Sequence, residues 1–249
     1  MRILFAFLFI LLTSTLSARL TECTFGIGYR NDRIKTNHAG FHIKEHDLES
    51  LLEFIRVETV AEHLLLGVDV DYGILLKGKR EINDLAYKDD YGYEADVFPK
   101  VGYSFTLTDF FYFDISGGYG YSRVSLRTKS ELPLFDTSSF LYEWYGPFVE
   151  GKLDLFQACR WKVAGFYQYH FLRGKIQQPL FMLGEGDIPL KTKIRSAYKQ
   201  VGGLSVYYLP IDFATLGFEG MVMKGQSTKP RHTESFFNYS VLMSVLLWF

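Results

Sequence analysis

Asp69-x-Asp71 puts two carboxylates two residues apart, and on an extended chain both leave the same face. Such a pair could bind a cation or share a proton. Any strand with a polar face produces the same spacing, so the pair carries chemistry only where its surroundings add ligands. His42 and His46 lie four apart, one helical turn, which would suit a metal if the segment were helical. His38, His63 and His232 share no metal-ligand spacing. On these grounds no metal and no cofactor is expected.

The segment that carries the Asp pair shows what must position it. From Leu64 to Lys77 the even positions are Leu64, Leu66, Val68, Val70, Tyr72, Ile74 and Leu76, and the odd ones include Gly67, Asp69, Asp71, Gly73 and Lys77. One face is apolar and the other is charged or bare, the two-residue period of a strand between unlike surroundings. The pattern recurs in Tyr91 to Leu107, Tyr145 to Leu155 and Trp161 to Phe171. A soluble sandwich alternates too, with its apolar faces meeting each other. These segments are longer than ordinary soluble strands, aromatic residues gather at the ends of the apolar stripes, and glycine is frequent on the polar face.

The pattern predicts an all-β fold, an antiparallel transmembrane β-barrel of about ten strands. The strands are expected at 20–30, 53–60, 64–77, 91–107, 110–126, 140–155, 160–173, 193–208, 212–224 and 236–249. Connections alternate between short ones and long ones, the latter at 31–52, 78–90, 127–139, 174–192 and 225–235. Short turns on the periplasmic side and long loops outside are the outer membrane arrangement. The polar face then sends Arg56, Glu58, Asp69, Asp71, Lys77, Glu94, Asp96, Lys100, Asp114, Glu150, Lys152, Asp154, Lys162, His170 and Glu219 into the lumen. With both signs present, these groups can pair and brace a narrow interior.

Both ends of the chain agree with export to that membrane. Arg2 precedes an apolar run from Ile3 to Leu12 and then small residues, so residues 1–18 read as a signal peptide and 19–249 as the barrel domain. The last segment alternates apolar residues from Tyr239 through Leu247 and stops on Phe249, which resembles the C-terminal assembly signal of outer membrane barrels. The expected partners are therefore outer membrane lipid and, through that strand, the barrel assembly machinery, with the barrel itself a monomer. Lys+Arg 27 against Asp+Glu 28 leaves no positive field to draw nucleic acid. Cys23 and Cys159 are too few for a disulfide scaffold.

From about Tyr91 onward the order and length of the strands resemble the omptins, ten-stranded outer membrane barrels that include proteases. The local echoes are Gly117 to Arg127 (GGYGYSRVSLR) and Tyr145 to Leu153 (YGPFVEGKL). Omptin proteases carry an acidic pair facing an Asp-His dyad at the outer mouth. This chain has no Asp-x-His; it reads Gln168-Tyr-His170-Phe-Leu-Arg173, followed by Glu185 and Asp187 without a histidine. The stand-ins that the resemblance implies are Glu94 and Asp96 as orienting carboxylates and His170 as general base. Three functions follow: a surface barrel with a structural or binding role, a small porin, or an omptin-like protease with an atypical site.

Overall fold

The computed structural model describes residues 20–38, 41–82, 85–108, 111–130, 138–158, 160–180, 188–211, 214–229 and 232–248. The signal-peptide reading of 1–18, Cys159 and the terminal Phe249 lie outside them. Ten strands follow in order: β1 (Leu20–His38), β2 (Phe41–Ala61), β3 (Leu64–Ile82), β4 (Leu85–Thr108), β5 (Phe111–Ser130), β6 (Ser138–Ala158), β7 (Trp161–Leu180), β8 (Ile188–Ile211), β9 (Ala214–Lys229) and β10 (His232–Trp248). Each pairs antiparallel with its chain neighbour, and β1 closes on β10 from Glu22↔Trp248 to His38↔His232. No sheet edge is left among them, as a hydrocarbon environment demands of backbone N–H and C=O groups.

The side chains sort by surroundings. In the lower part of the wall the outward residues are apolar and exposed, among them Phe25 and Ile27 on β1, Tyr72 and Ile74 on β3, Val149 and Leu155 on β6, and Val241 and Met243 on β10. On β3 the outward apolar residues run from Leu64 to Leu76, exposed at Leu64, Tyr72, Ile74 and Leu76, with Val68 between them buried. At roughly 3.3 Å per residue and a tilt of about 45°, this stripe covers about 28 Å along the barrel axis, close to a hydrocarbon core. Aromatic residues border it, with Tyr103, Phe105 and Trp161 towards the short turns and Tyr91, Tyr121 and Phe171 towards the long hairpins. This chain is an integral membrane barrel.

Above the belt the same strands continue with the opposite polarity. Lys77 and Lys79 on β3, Arg173 and Lys175 on β7, and Lys193 and Arg195 on β8 face outward and are exposed. Inside, Leu48, Leu75, Leu126, Phe140, Tyr142, Leu172, Ile176, Ile194 and Ala197 form one buried cluster, with Ile34, Val124, Trp144 and Phe236 against it. Water now bathes the outside, so the apolar residues turn inward as in a soluble protein.

Two expectations are corrected here. The segments 31–52, 78–90, 174–192 and 225–235 are in large part strand, and strand also enters 127–139 at 127–130 and 138–139, because the hairpins extend well beyond the membrane. Lys77 is not in the lumen: its side chain is exposed and meets Glu49 at 3.8 Å. A bulge explains it. Between Glu49 and Ser50 the register shifts from Lys77 to Leu75, so Leu76 and Lys77 both face out and the period restarts. A second bulge between Leu172 and Gly174 does the same on β8, where Arg195 and Ser196 are both exposed between buried Ile194 and Ala197.

If the upper cluster is a true core, Phe140→Ala leaves a cavity there and costs about 3–5 kcal/mol. Urea unfolding of the refolded protein in detergent is the measurement. A loss below about 1 kcal/mol, the range of surface substitutions and mild repacking, would mean the cluster is not load-carrying.

Candidate functional site

Inward positions of the belt region bring the charged residues together in the middle of the barrel. Lys100, on β4, reaches Glu58 of β2 at 2.5 Å, Asp69 of β3 at 3.2 Å and Glu150 of β6 at 3.0 Å, linking strands across the lumen. Lys152 meets Glu58 at 3.2 Å, and Lys162 meets Asp154 at 3.0 Å. Arg56 holds both carboxylate oxygens of Glu219, at 2.7 and 3.0 Å, and the Ser205 hydroxyl donates to that carboxylate at 3.0 Å. Asp114 lies on β5 directly opposite Lys152 in the ladder and faces the lumen half-buried. Room for this network comes from missing side chains: a Cβ on Gly73 would collide with the Glu94 carboxylate, and one on Gly67 would stand 3.0 Å from the Lys100 stem.

Higher in the lumen a second network centres on Arg30. Its guanidinium lies 3.2 Å from Asp71, 3.2 Å from Glu94 and 3.0 Å from Asp96. Beside it Asn238 donates to Asp32 at 2.8 Å. A planar cation with five donors suits three carboxylates better than an ammonium would. The ammonium of Lys199 stands over the Phe98 ring, 5.1 Å from its centroid. A cavity of about 170 Å³ runs through both networks and upward to Leu48, Tyr142, Trp144 and Phe236.

The residues singled out for chemistry are thus brought into one lumen, each with a partner. Asp69 and Asp71 share a face of β3, but Lys100 takes the first and Arg30 the second. Glu94 and Asp96 both meet the same Arg30 nitrogen. His170 is fully buried, stacked on Phe148 at 5.1 Å and edge-on to Phe98 at 5.4 Å, with Nε2 3.1 Å from the Gln168 amide oxygen. Among the described residues no contact joins His170 to Glu94 or Asp96. His42 and His46 lie on β2, not on a helix, four residues of strand apart or roughly 13 Å. Sequence reasoning missed Arg30, Asp32 and Lys199. Arg30 was within reach, since Gly26, Gly28 and Arg30 alternate with Phe25, Ile27 and Tyr29.

A closed ten-stranded wall with a lipid belt outside and an ionic lumen inside defines an integral outer membrane β-barrel protein. Within that class, residues 87–208 match the family described as "Pom: Protochlamydia outer membrane protein". Among solved structures the chain is similar to the outer membrane protease OmpT from Escherichia coli, at 10% identity over 94% of this chain and 98% of that one, with a TM-score of 0.70. It is also similar to the transport unit of the autotransporter AIDA-I from Escherichia coli, at 7% identity over 96% and 97% of the two chains, TM-score 0.51. At these identities the likeness is one of fold, and it agrees with the omptin-like layout read from the strands. No curated protein matches the sequence.

Lys100 meets three carboxylates at once, and its removal leaves buried Asp69 without its ion-pair partner and Glu150 without its ammonium. Lys100→Ala is expected to cost about 3–5 kcal/mol, against under about 1 kcal/mol for Arg33→Ala at an exposed pair. Equal shifts in urea midpoint for the two variants would contradict the bracing role.

Proposed function

We propose that this protein is a closed, non-conducting outer membrane barrel whose extramembrane half serves as a structural or binding platform at the cell surface. The observation that carries this reading is the apolar cluster inside the upper barrel, drawn from β2, β3, β5, β6, β7 and β8 and joined by residues of β1 and β10. The cavity that holds the ionic lumen rises into this cluster, so its upper part is bordered by Leu48, Tyr142, Trp144 and Phe236, and ions cross apolar constrictions poorly. The bracing ion pairs work in the same direction, since they tie strands as far apart as β2 and β6 together at the level of the membrane.

The barrel needs no second copy to close, which favours a monomer as the folding unit. Its last strand offers Tyr239, Val241, Met243 and Val245 outward, with Leu247 half-buried beyond them, an alternation suited to recognition by the barrel assembly machinery. The protease alternative would use Glu94, Asp96 and His170. Arg30 engages both carboxylates and the imidazole packs between two phenyl rings, so each group has work other than activating water.

One refolded sample tests both alternatives. In planar bilayers the current is expected to stay at baseline, and mixed peptides are expected to remain intact. Stable unitary current steps would establish the porin reading instead. Peptide cleavage that vanishes in His170→Ala, with heat-modifiable gel migration unchanged, would establish the protease reading.

A further inference from the structure

The belt carries one feature that lipid alone does not explain. Glu53 stands on the outer side of β2 and is exposed. Along the strand its outward neighbours are Leu51 and Ile55, and across the ladders it faces Ile27 of β1 and Tyr72 of β3, all four exposed apolar residues. No ion pair or hydrogen bond reaches it among the described residues. Higher on the same strand Glu49 has Lys77 at 3.8 Å and Asp47 has Arg33 at 3.3 Å, so those acids are answered within the chain and Glu53 is not. A carboxylate facing hydrocarbon is costly and points to a partner that supplies a donor.

The complementary surface lies further round the same barrel. Going round the wall from β2 through β1, β10, β9 and β8 leads to β7, halfway about the ten strands. Lys224 on β9, three strands round from β2, follows exposed Val222, and Arg173 and Lys175 on β7 follow exposed Phe171. The ladder Glu53↔Ile27↔Met243↔Phe218 connects the two sides at known register. With about 3.3 Å per residue and strands tilted about 45°, it places Lys224 within about 5 Å of the depth of Glu53. A lysine stem spans that difference.

We propose that complete barrels associate side by side in the membrane plane, the Glu53 face of one copy docking against the β7–β9 face of a second copy, with Lys224 as the counter-charge. Because the two faces differ, the contact is head-to-tail and extends into rows or closes into rings. The proposal depends on the outer wall alone and is independent of whether the lumen conducts.

The test uses the full-length mature barrel with Cys23 and Cys159 replaced by serine, reconstituted in liposomes at low protein density. Glu53→Cys and Lys224→Cys proteins are prepared separately, mixed and oxidised. A cross-linked dimer is expected in the mixture and at background level in either protein alone. In sedimentation in mild detergent, Glu53→Lys and Lys224→Glu are each expected to weaken self-association at least tenfold, and the double charge swap to restore it. Heat-modifiable migration checks that each variant has formed its barrel. Wild-type protein that sediments as a monomer at every concentration, or association unchanged in Glu53→Lys, would overturn the proposal. In either case the β7–β9 cations would be left facing lipid phosphates.

Discussion

Everything in this molecule depends on the wall meeting two solvents in succession. A strand that leaves the membrane keeps its hydrogen-bonded neighbours but exchanges hydrocarbon for water outside, and the preferred polarity of each face reverses with it. On β7 the reversal falls between Phe171, exposed to lipid, and Arg173, exposed to water, while the inward residues change from Gln168 and His170 to Leu172 and Ile176. The same chain therefore builds a membrane barrel below and something close to a soluble β-core above. The register shifts at Glu49/Ser50 and Leu172/Gly174 mark the change, because a bulge turns the period without breaking the ladder for long.

The ionic lumen follows from the lower half of this arrangement. Once the apolar residues are spent on lipid, the interior is left with what remains, and in a narrow barrel unlike charges must pair or be hydrated. Lys100 among three carboxylates and Arg30 among three more are cross-braces, and apart from Lys100–Asp69, which joins adjacent β3 and β4, they link strands that are not neighbours in the sheet. Breaking such a brace strands several carboxylates at once, so the networks confer rigidity even where their net contribution to stability is modest. The glycines opposite Lys100 and Glu94 belong to the same design, as they clear the volume into which the long side chains fold.

Much of the fold was legible in the sequence, for a reason that also explains what was not. Lipid on one side and ions on the other give a strong two-residue alternation, so Leu64 to Leu76, Tyr91 to Phe105 and Trp161 to Phe171 read as strands with their inward faces correct. Above the membrane the alternation is weaker and inverted, and bulges interrupt it. The stretch from Asn31 to Leu52 and that from Gly174 to Thr192 therefore read as loops although most of each is strand. Counting the two-residue period through the bulge, which no residue type announces, puts Lys77 inward. The candidate site was half legible: the carboxylates and His170 were found, but Arg30, which decides what Asp71, Glu94 and Asp96 face, was not singled out.

The most direct test of this account is a depth profile of single nitroxide labels along β7. Labels at Tyr167, Phe171, Arg173 and Lys175, read for relaxation by oxygen against a water-soluble nickel reagent, report the solvent outside the wall. The account expects oxygen to dominate at 167 and 171 and nickel at 173 and 175, with the labelled protein still migrating as a folded barrel. Oxygen-dominated relaxation continuing unchanged through 175, or nickel dominating at 167, would contradict it.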